Sequence, residues 1–134
     1  MNEQDTMKKI RTAVSEIWVD SEGILRVDIL QGASLTLKDM EEGFEAYAKL
    51  GFGQGQKKGL QLLTGARFFT LDKEARDYGG KHGDSFFIAA AVVSDSIAMR
   101  FLVNMFNATQ KHGVPFKAFS NVEEALEWLR KFKK

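Results

Sequence analysis

The apolar run over residues 86–93 is the feature that most limits how this chain can fold. A continuous apolar run with turn-forming residues on both sides is typical of a central strand whose two faces are both covered. The run is far too short to span a bilayer. The sequence therefore predicts an α/β domain in which this strand lies inside a sheet with helices packed on it.

The residues before this run predict a hairpin followed by a helix. Strands over 13–19 and 24–30 are separated by turn-forming residues, which indicates an antiparallel pair. Thr36 is a suitable N-cap, and Asp39 occupies the capping-box position after it. Together they predict a helix that extends to about Leu50.

Two short elements are predicted between that helix and the central strand. An apolar strand covers 60–63, and a short helix begins at Thr70 or Asp72. The glycine pair that starts at Gly79 is expected to end this helix, because glycine lowers helix propensity. The prediction leaves His82 in a solvated loop.

The chain beyond the central strand predicts one more strand between two helices. The first helix extends to about Lys111, and a strand covers 114–119. Ser120 and Glu123 then have the capping-box spacing that begins the closing helix. The order β-β-α-β-α-β-α-β-α predicts a mixed sheet of about five strands, with parallel strands at its end.

Composition excludes several classes of function. The chain has no cysteine, which excludes thiol catalysis and thiolate metal sites. Lys and Arg total 19 against 18 Asp and Glu, and this balance argues against nucleic-acid binding. The start of the chain lacks the apolar core of a signal peptide. We therefore expect a cytoplasmic protein with no membrane span.

Four strings along the chain resemble a known family. They lie at 18–25, 74–78, 88–93 and 119–129. In their order and spacing they are similar to the STAS domain family, and within it to the SpoIIAA-like group that is also labelled STAS/SEC14. The resemblance implies a single STAS/SpoIIAA-like α/β domain over 1–134, with 1–11 flexible. It also implies a regulatory role, since STAS proteins act as anti-sigma-factor antagonists and regulatory modules.

The resemblance also points to a phosphorylation switch. Many STAS proteins carry a phosphorylated serine or threonine in an Asp-x-Ser-like string between a strand and the next helix. The matching place in this chain is 63–67, where Thr64 occupies the aspartate position and no serine follows. Thr64 and Thr70 are the candidate phosphorylation sites.

The end of the strand over 60–63 is the candidate binding site. Ligands of open α/β sheets bind beyond the carboxyl ends of parallel strands. The candidate ligand-binding or partner-binding residues there are Thr64, Gly65, Arg67, Phe68 and Arg76. The two arginines can hold a carboxylate or phosphate with forked hydrogen bonds. The alternative is that the arginines pair locally with Asp72, Glu74 or Asp77.

Two other patterns predict no chemistry. The glycine-rich loop over 51–59 has a helix before it and a strand after it, which is the reverse of a phosphate-binding loop. His82 and His112 are far apart and have no carboxylate at ligand spacing, so no metal site is predicted.

Three functions remain open. We expect a non-enzymatic regulatory or protein-binding module with an unidentified protein partner. The alternative partner is a second copy of the chain, in a homodimer. Eleven phenylalanines are more than the core needs, so the second hypothesis is a carrier or sensor of a small apolar or amphipathic ligand. The third is an enzyme that uses Arg67, Arg76 and a nearby carboxylate or His82. The sequence indicates no catalytic set and no cofactor.

Overall fold

The structure is a computed structural model that describes residues 8–53, 55–65, 69–109 and 114–133. Side chains are described in these ranges except at 102 and 105–109. The strands are β1 (Ile10–Arg11), β2 (Ser15–Val19), β3 (Leu25–Ile29), β4 (Ser34–Leu35), β5 (Gly59–Thr64), β6 (Thr70–Leu71), β7 (Phe87–Val93) and β8 (Phe116–Phe119). The helices are α1 (Leu37–Lys49), α2 (Lys73–Phe86), α3 (Ile97–Thr109) and α4 (Val122–Arg130).

The described strands form one mixed sheet and a separate ribbon. The sheet has the order β1-β2-β3-β5-β7-β8, in which β1, β2 and β3 are antiparallel and the later neighbours are parallel. The strands β4 and β6 pair in parallel outside it. The predicted α/β class and mixed sheet are confirmed. The short strands β1, β4 and β6 were not predicted, because two residues are too few to show alternation.

Helices cover the central strand β7 on both faces. On one face, Ala125 and Leu129 of α4 are fully buried against Ala89 and Ala91 of β7. On the other face, Phe87 packs in a larger core with residues of α1 and α3. The prediction of a strand covered on both sides is confirmed.

The helix α2 is longer than the sequence predicted. Its N-cap is Asp72, whose carboxylate accepts from the backbone N–H of Ala75 at 2.8 Å, but the helix does not end at Gly79. It continues to Phe86 and leads directly into β7. His82 therefore lies in α2, not in a loop, and its ring packs against that of Tyr78 at a tilt of 44°, with centroids 4.3 Å apart.

Aromatic packing explains why the glycines do not end α2. The ring of Phe44 in α1 packs edge-on against Tyr78, at 5.3 Å, and against Phe86, at 4.9 Å. These contacts hold α2 on both sides of its glycines. Tertiary packing of this kind overrides the low helix propensity of glycine.

The closing helix begins one residue later than predicted. Its N-cap is Asn121, whose side-chain oxygen accepts from the backbone N–H of Glu124 at 2.9 Å. Ser120 is therefore not the N-cap. The capping box of Thr36 and Asp39 in α1 is present as predicted. The predicted end of the helix near Lys111 lies outside the described residues, as does His112.

A buried hydrogen bond joins α1 to the sheet. The side-chain amide of Gln61 in β5 donates to the hydroxyl of Tyr47 in α1 at 3.1 Å. Burial raises the pKa of Tyr47 to about 12, and this hydrogen bond opposes the rise. Among the described helices, none has the length and apolar character that a membrane crossing requires.

The raised pKa of Tyr47 predicts a loss of stability at alkaline pH. An unfolded tyrosine titrates near 10. Between about pH 10 and 12 the unfolded chain releases a proton that folded Tyr47 keeps, so this contribution is complete below pH 10 and is lost toward pH 12. The free energy of unfolding should fall by about 1.4 kcal/mol per pH unit from this group. Urea unfolding at several pH values measures the slope.

The variant Tyr47→Phe should show a shallower alkaline fall than the wild-type protein. Tyr78→Phe is the matched control, because it also removes a tyrosine hydroxyl but leaves Tyr47 in place. Equal slopes for wild type and Tyr47→Phe would contradict the prediction.

Candidate functional site

A cavity of about 580 Å³ lies between the sheet and the helices α1, α2 and α3. This volume is in the range of small-molecule pockets. Most of its wall is apolar. The apolar lining includes Val27, Ile29, Met40, Phe44, Leu63, Phe69, Phe87, Met99, Val103 and Phe116.

The ribbon of β4 and β6 holds the starts of α1 and α2 side by side. The backbone N–H of Thr70 donates to the carbonyl of Ala33 at 3.0 Å, and that of Asp72 donates to the carbonyl of Leu35 at 3.1 Å. Each helix begins directly after its ribbon strand and N-cap. The ribbon thus fixes both helices outside the main sheet, and the cavity is the space between the two layers.

Two of the glycines on the helices, Gly43 and Gly83, keep this space open. The helical glycines that line the cavity are Gly43 in α1 and Gly79, Gly80 and Gly83 in α2. A Cβ atom at Gly43 would meet only the Tyr47 side chain, at 3.5 Å, and one at Gly83 would meet only Val114, at 3.8 Å. These are ordinary contact distances, so close packing does not require glycine at either position. The missing side chains add to the cavity instead.

Two polar side chains lie on the buried wall of the cavity. Tyr47 and Gln61 are each 7% exposed, and both line the space. The Tyr47 hydroxyl accepts from Gln61, and within the described residues it has no acceptor for its own hydrogen. Ser15 is the third buried polar residue on the wall, and its hydroxyl is hydrogen-bonded to that of Thr12 at 2.8 Å.

The rim of the cavity carries a cation, and the Asp39 carboxylate of the α1 capping box also lines the space. Thr70 and Arg76 line the space and are exposed. Within the described residues no ion pair joins Arg76 to Asp72, Glu74 or Asp77. Asp77 is paired with Lys73 at 3.0 Å, and Asp72 caps α2. The described structure therefore lacks the local pairing of Arg76 that the sequence offered as an alternative.

The structure separates Thr64 from Arg76, with which the sequence grouped it. Thr64 ends β5 but does not line the cavity, and its hydroxyl donates to Asp28 at 3.1 Å. Because successive strand residues face opposite sides, Thr64 points away from the side on which Leu63 lines the cavity. Arg67 and Phe68 lie outside the described residues.

Gly65 is required by a close approach of the backbone. Its φ is +97°, and an added Cβ would clash with the Asp28 carboxylate and lie 2.7 Å from the carbonyl oxygen of Ile29. Only glycine fits such a position without strain. Its role in the described structure is to let β5 turn beside the end of β3.

Sequence reasoning missed Tyr47, Gln61 and the cavity glycines. A signal existed for Gln61, since it is a polar residue inside an otherwise apolar strand. Gly79 and Gly80 were instead interpreted as the end of a helix. No group of three or more potential metal ligands occurs among the described residues.

Two other features lie on the surface that the structure describes. A shallow polar depression beside the glycine-rich loop includes Lys58 and Asp84. Ile97 and Phe101, one turn apart on α3, are 77% and 64% exposed. The apolar cavity is therefore the feature of the described structure with the clearest binding chemistry.

Comparison with known proteins gives a family and a structural neighbour. No curated protein matches the chain. A crystal structure of an uncharacterized protein of the DUF3478 family from Shewanella loihica PV-4 is similar, with 19% identity, coverage of 92% of each chain and a TM-score of 0.49. That protein is described as having a SpoIIAA-like fold. A family model described as a domain of unknown function, DUF7793, matches residues 17–133, and this chain therefore belongs to the DUF7793 family.

Proposed function

We propose that this protein is a non-enzymatic binding module that holds a small apolar or amphipathic molecule, as a carrier or a sensor. The observation that carries the proposal is the apolar cavity of about 580 Å³ between the sheet and the helices α1, α2 and α3. A cavity of this size loses the packing contacts that fill an ordinary core. A bound molecule would restore them.

The helical glycines favour a binding role for the cavity over the alternative that the cavity is a packing defect. Each glycine in a helix interior costs about 0.5–1 kcal/mol relative to alanine. At Gly43 and Gly83 an alanine methyl would fit at 3.5 Å or more from its neighbours, so the structure gains no close contact from glycine there. What it gains is space inside the cavity.

The rim favours an amphipathic ligand. Arg76 is exposed and lines the cavity, and Thr70 lies on the same rim. A guanidinium group at the edge of an apolar space can pair with a carboxylate, sulfonate or phosphate while the apolar part of the molecule lies inside. A regulatory role with a protein partner, a phosphorylation switch at Thr64 or Thr70 and a cytoplasmic location stay predictions of the sequence.

Native mass spectrometry tests the proposal directly. Protein purified under mild conditions should carry a non-covalent adduct, or should bind one from a panel of fatty acids, lysophospholipids and aromatic metabolites. Occupation of the cavity should also raise the melting temperature, since the ligand binds only the folded state. A bare mass together with no thermal shift across the whole panel would refute the function.

Replacing cavity glycines with alanine should raise the stability of the empty protein and weaken its ligand binding. Gly43→Ala and Gly83→Ala should each raise the free energy of unfolding of the empty protein by about 0.5–1 kcal/mol, because alanine is the better helix former. Both should weaken binding of 1-anilinonaphthalene-8-sulfonate, measured by fluorescence titration, because the methyl groups occupy the space.

The matched control is Asp84→Ala in the same helix α2. Asp84 does not line the cavity, so this change should stabilise the helix by about 0.5 kcal/mol without altering dye affinity. If the two glycine variants bound the dye as well as Asp84→Ala does, the dye would not lie in the cavity.

Removing the rim cation should weaken the binding of anionic ligands and leave the binding of neutral ligands unchanged. Arg76→Gln should weaken dodecanoate binding about two- to five-fold, as expected for an exposed ion pair, and leave dodecan-1-ol binding unchanged. Lys81→Gln is the control, because Lys81 is an exposed cation of α2 that does not line the cavity. Isothermal titration calorimetry measures the six affinities of the wild-type protein and the two variants for the two ligands. An equal effect on acid and alcohol would exclude Arg76 as the head-group contact.

A further inference from the structure

The buried wall of the cavity, which is mostly apolar, contains a hydrogen-bond donor, the Tyr47 hydroxyl. We infer that the ligand carries a neutral oxygen acceptor, such as a ketone or ester carbonyl, at its buried end, and that this oxygen accepts from the Tyr47 hydroxyl. The inference rests on the proposed function, since it names the class of molecule that the cavity takes.

The hydrogen-bond geometry leaves the Tyr47 donor available. Gln61 Nε2 donates to the Tyr47 hydroxyl oxygen at 3.1 Å, so the hydroxyl hydrogen must find its acceptor elsewhere. The described residues provide none, although Tyr47 is only 7% exposed. Buried donors in folded proteins are almost always paired. A ligand oxygen in the cavity supplies the missing acceptor.

The space beside the hydroxyl is open for such an atom. Gly43 lies one helical turn before Tyr47 and also lines the cavity. A Cβ atom at Gly43 would be 3.5 Å from the Tyr47 hydroxyl oxygen, where it would compete with a ligand for the same space. The glycine thus keeps the Tyr47 hydroxyl accessible to a ligand. This observation does not depend on which hydrogen bonds the hydroxyl forms.

The acceptor must be neutral. Among the described residues that line the cavity, the basic side chain is Arg76, and it lies at the exposed rim. A carboxylate buried beside Tyr47 and Gln61 would have no cation to compensate its lost hydration. Because burial holds the pKa of Tyr47 near 12, the hydroxyl keeps its hydrogen at neutral pH. A carbonyl oxygen satisfies both conditions.

A matched pair of probes tests this inference. Butyrophenone and butylbenzene share one carbon skeleton and differ by a carbonyl in place of a methylene. Their dissociation constants are measured by calorimetry for the wild-type protein, Tyr47→Phe and Tyr78→Phe. Tyr78 supplies the control because it is the other tyrosine of the chain and does not line the cavity.

The readout is the ratio of the two dissociation constants. Tyr47→Phe should shift the ratio against the ketone by about three- to ten-fold, the usual contribution of one hydrogen bond, while Tyr78→Phe leaves it unchanged. Gly43→Ala provides a second variant that keeps the hydroxyl, and it should also weaken the ketone more than the hydrocarbon. It keeps the test decisive if Tyr47→Phe does not fold.

The outcomes distinguish failure of the carbonyl contact from failure of the proposed function. If both probes bind but neither Tyr47→Phe nor Gly43→Ala alters their ratio, the carbonyl contact is refuted and cavity binding stands. If the wild-type protein binds neither probe, the carbonyl contact is refuted, and the proposed function is refuted as well when the panel of fatty acids, lysophospholipids and aromatic metabolites also gives no adduct and no thermal shift.

Discussion

The packing of aromatic rings between α1, α2 and β7 determines the shape of this molecule. Phe44 contacts Tyr78 and Phe86, which holds the two helices together, and Tyr47 contacts Phe87 at a centroid distance of 5.3 Å, which holds them to the sheet. Large rings separate the layers where small residues would bring them close. On the opposite face, alanines of β7 let α4 pack tightly. The cavity lies on the face that the rings keep apart.

Local patterns in the sequence predict those parts of the fold that local interactions determine. The hairpin of β2 and β3 follows from alternation and turn residues, and α1 follows from the Thr36 capping box. The end of α2 was predicted wrongly because glycine propensity is a local signal, whereas the contacts of Phe44 with Tyr78 and Phe86 are tertiary. The ribbon strands were missed because their pairing joins residues that are distant in sequence.

The candidate site was harder to predict than the fold. The sequence located Arg76 and Thr70, which line the cavity, but it grouped them with Thr64, whose side chain faces the other side of the sheet. Tyr47 and Gln61 come from different elements, and only the packing of α1 on β5 brings them together. A cavity is a space without atoms, so no single residue type in the sequence predicts it. The helical glycines become informative only once their neighbours are known.

The direct junction of α2 and β7 has a mechanical consequence. The helix ends at Phe86 and the strand begins at Phe87, so one peptide bond joins them. A loop between them would absorb a displacement of the helix through changes in its own backbone dihedral angles. This junction contains no loop residues. Any rotation or translation of α2 is therefore carried into the ladder that β7 forms with β5 and β8. One wall of the cavity thus has the stiffness of the sheet itself.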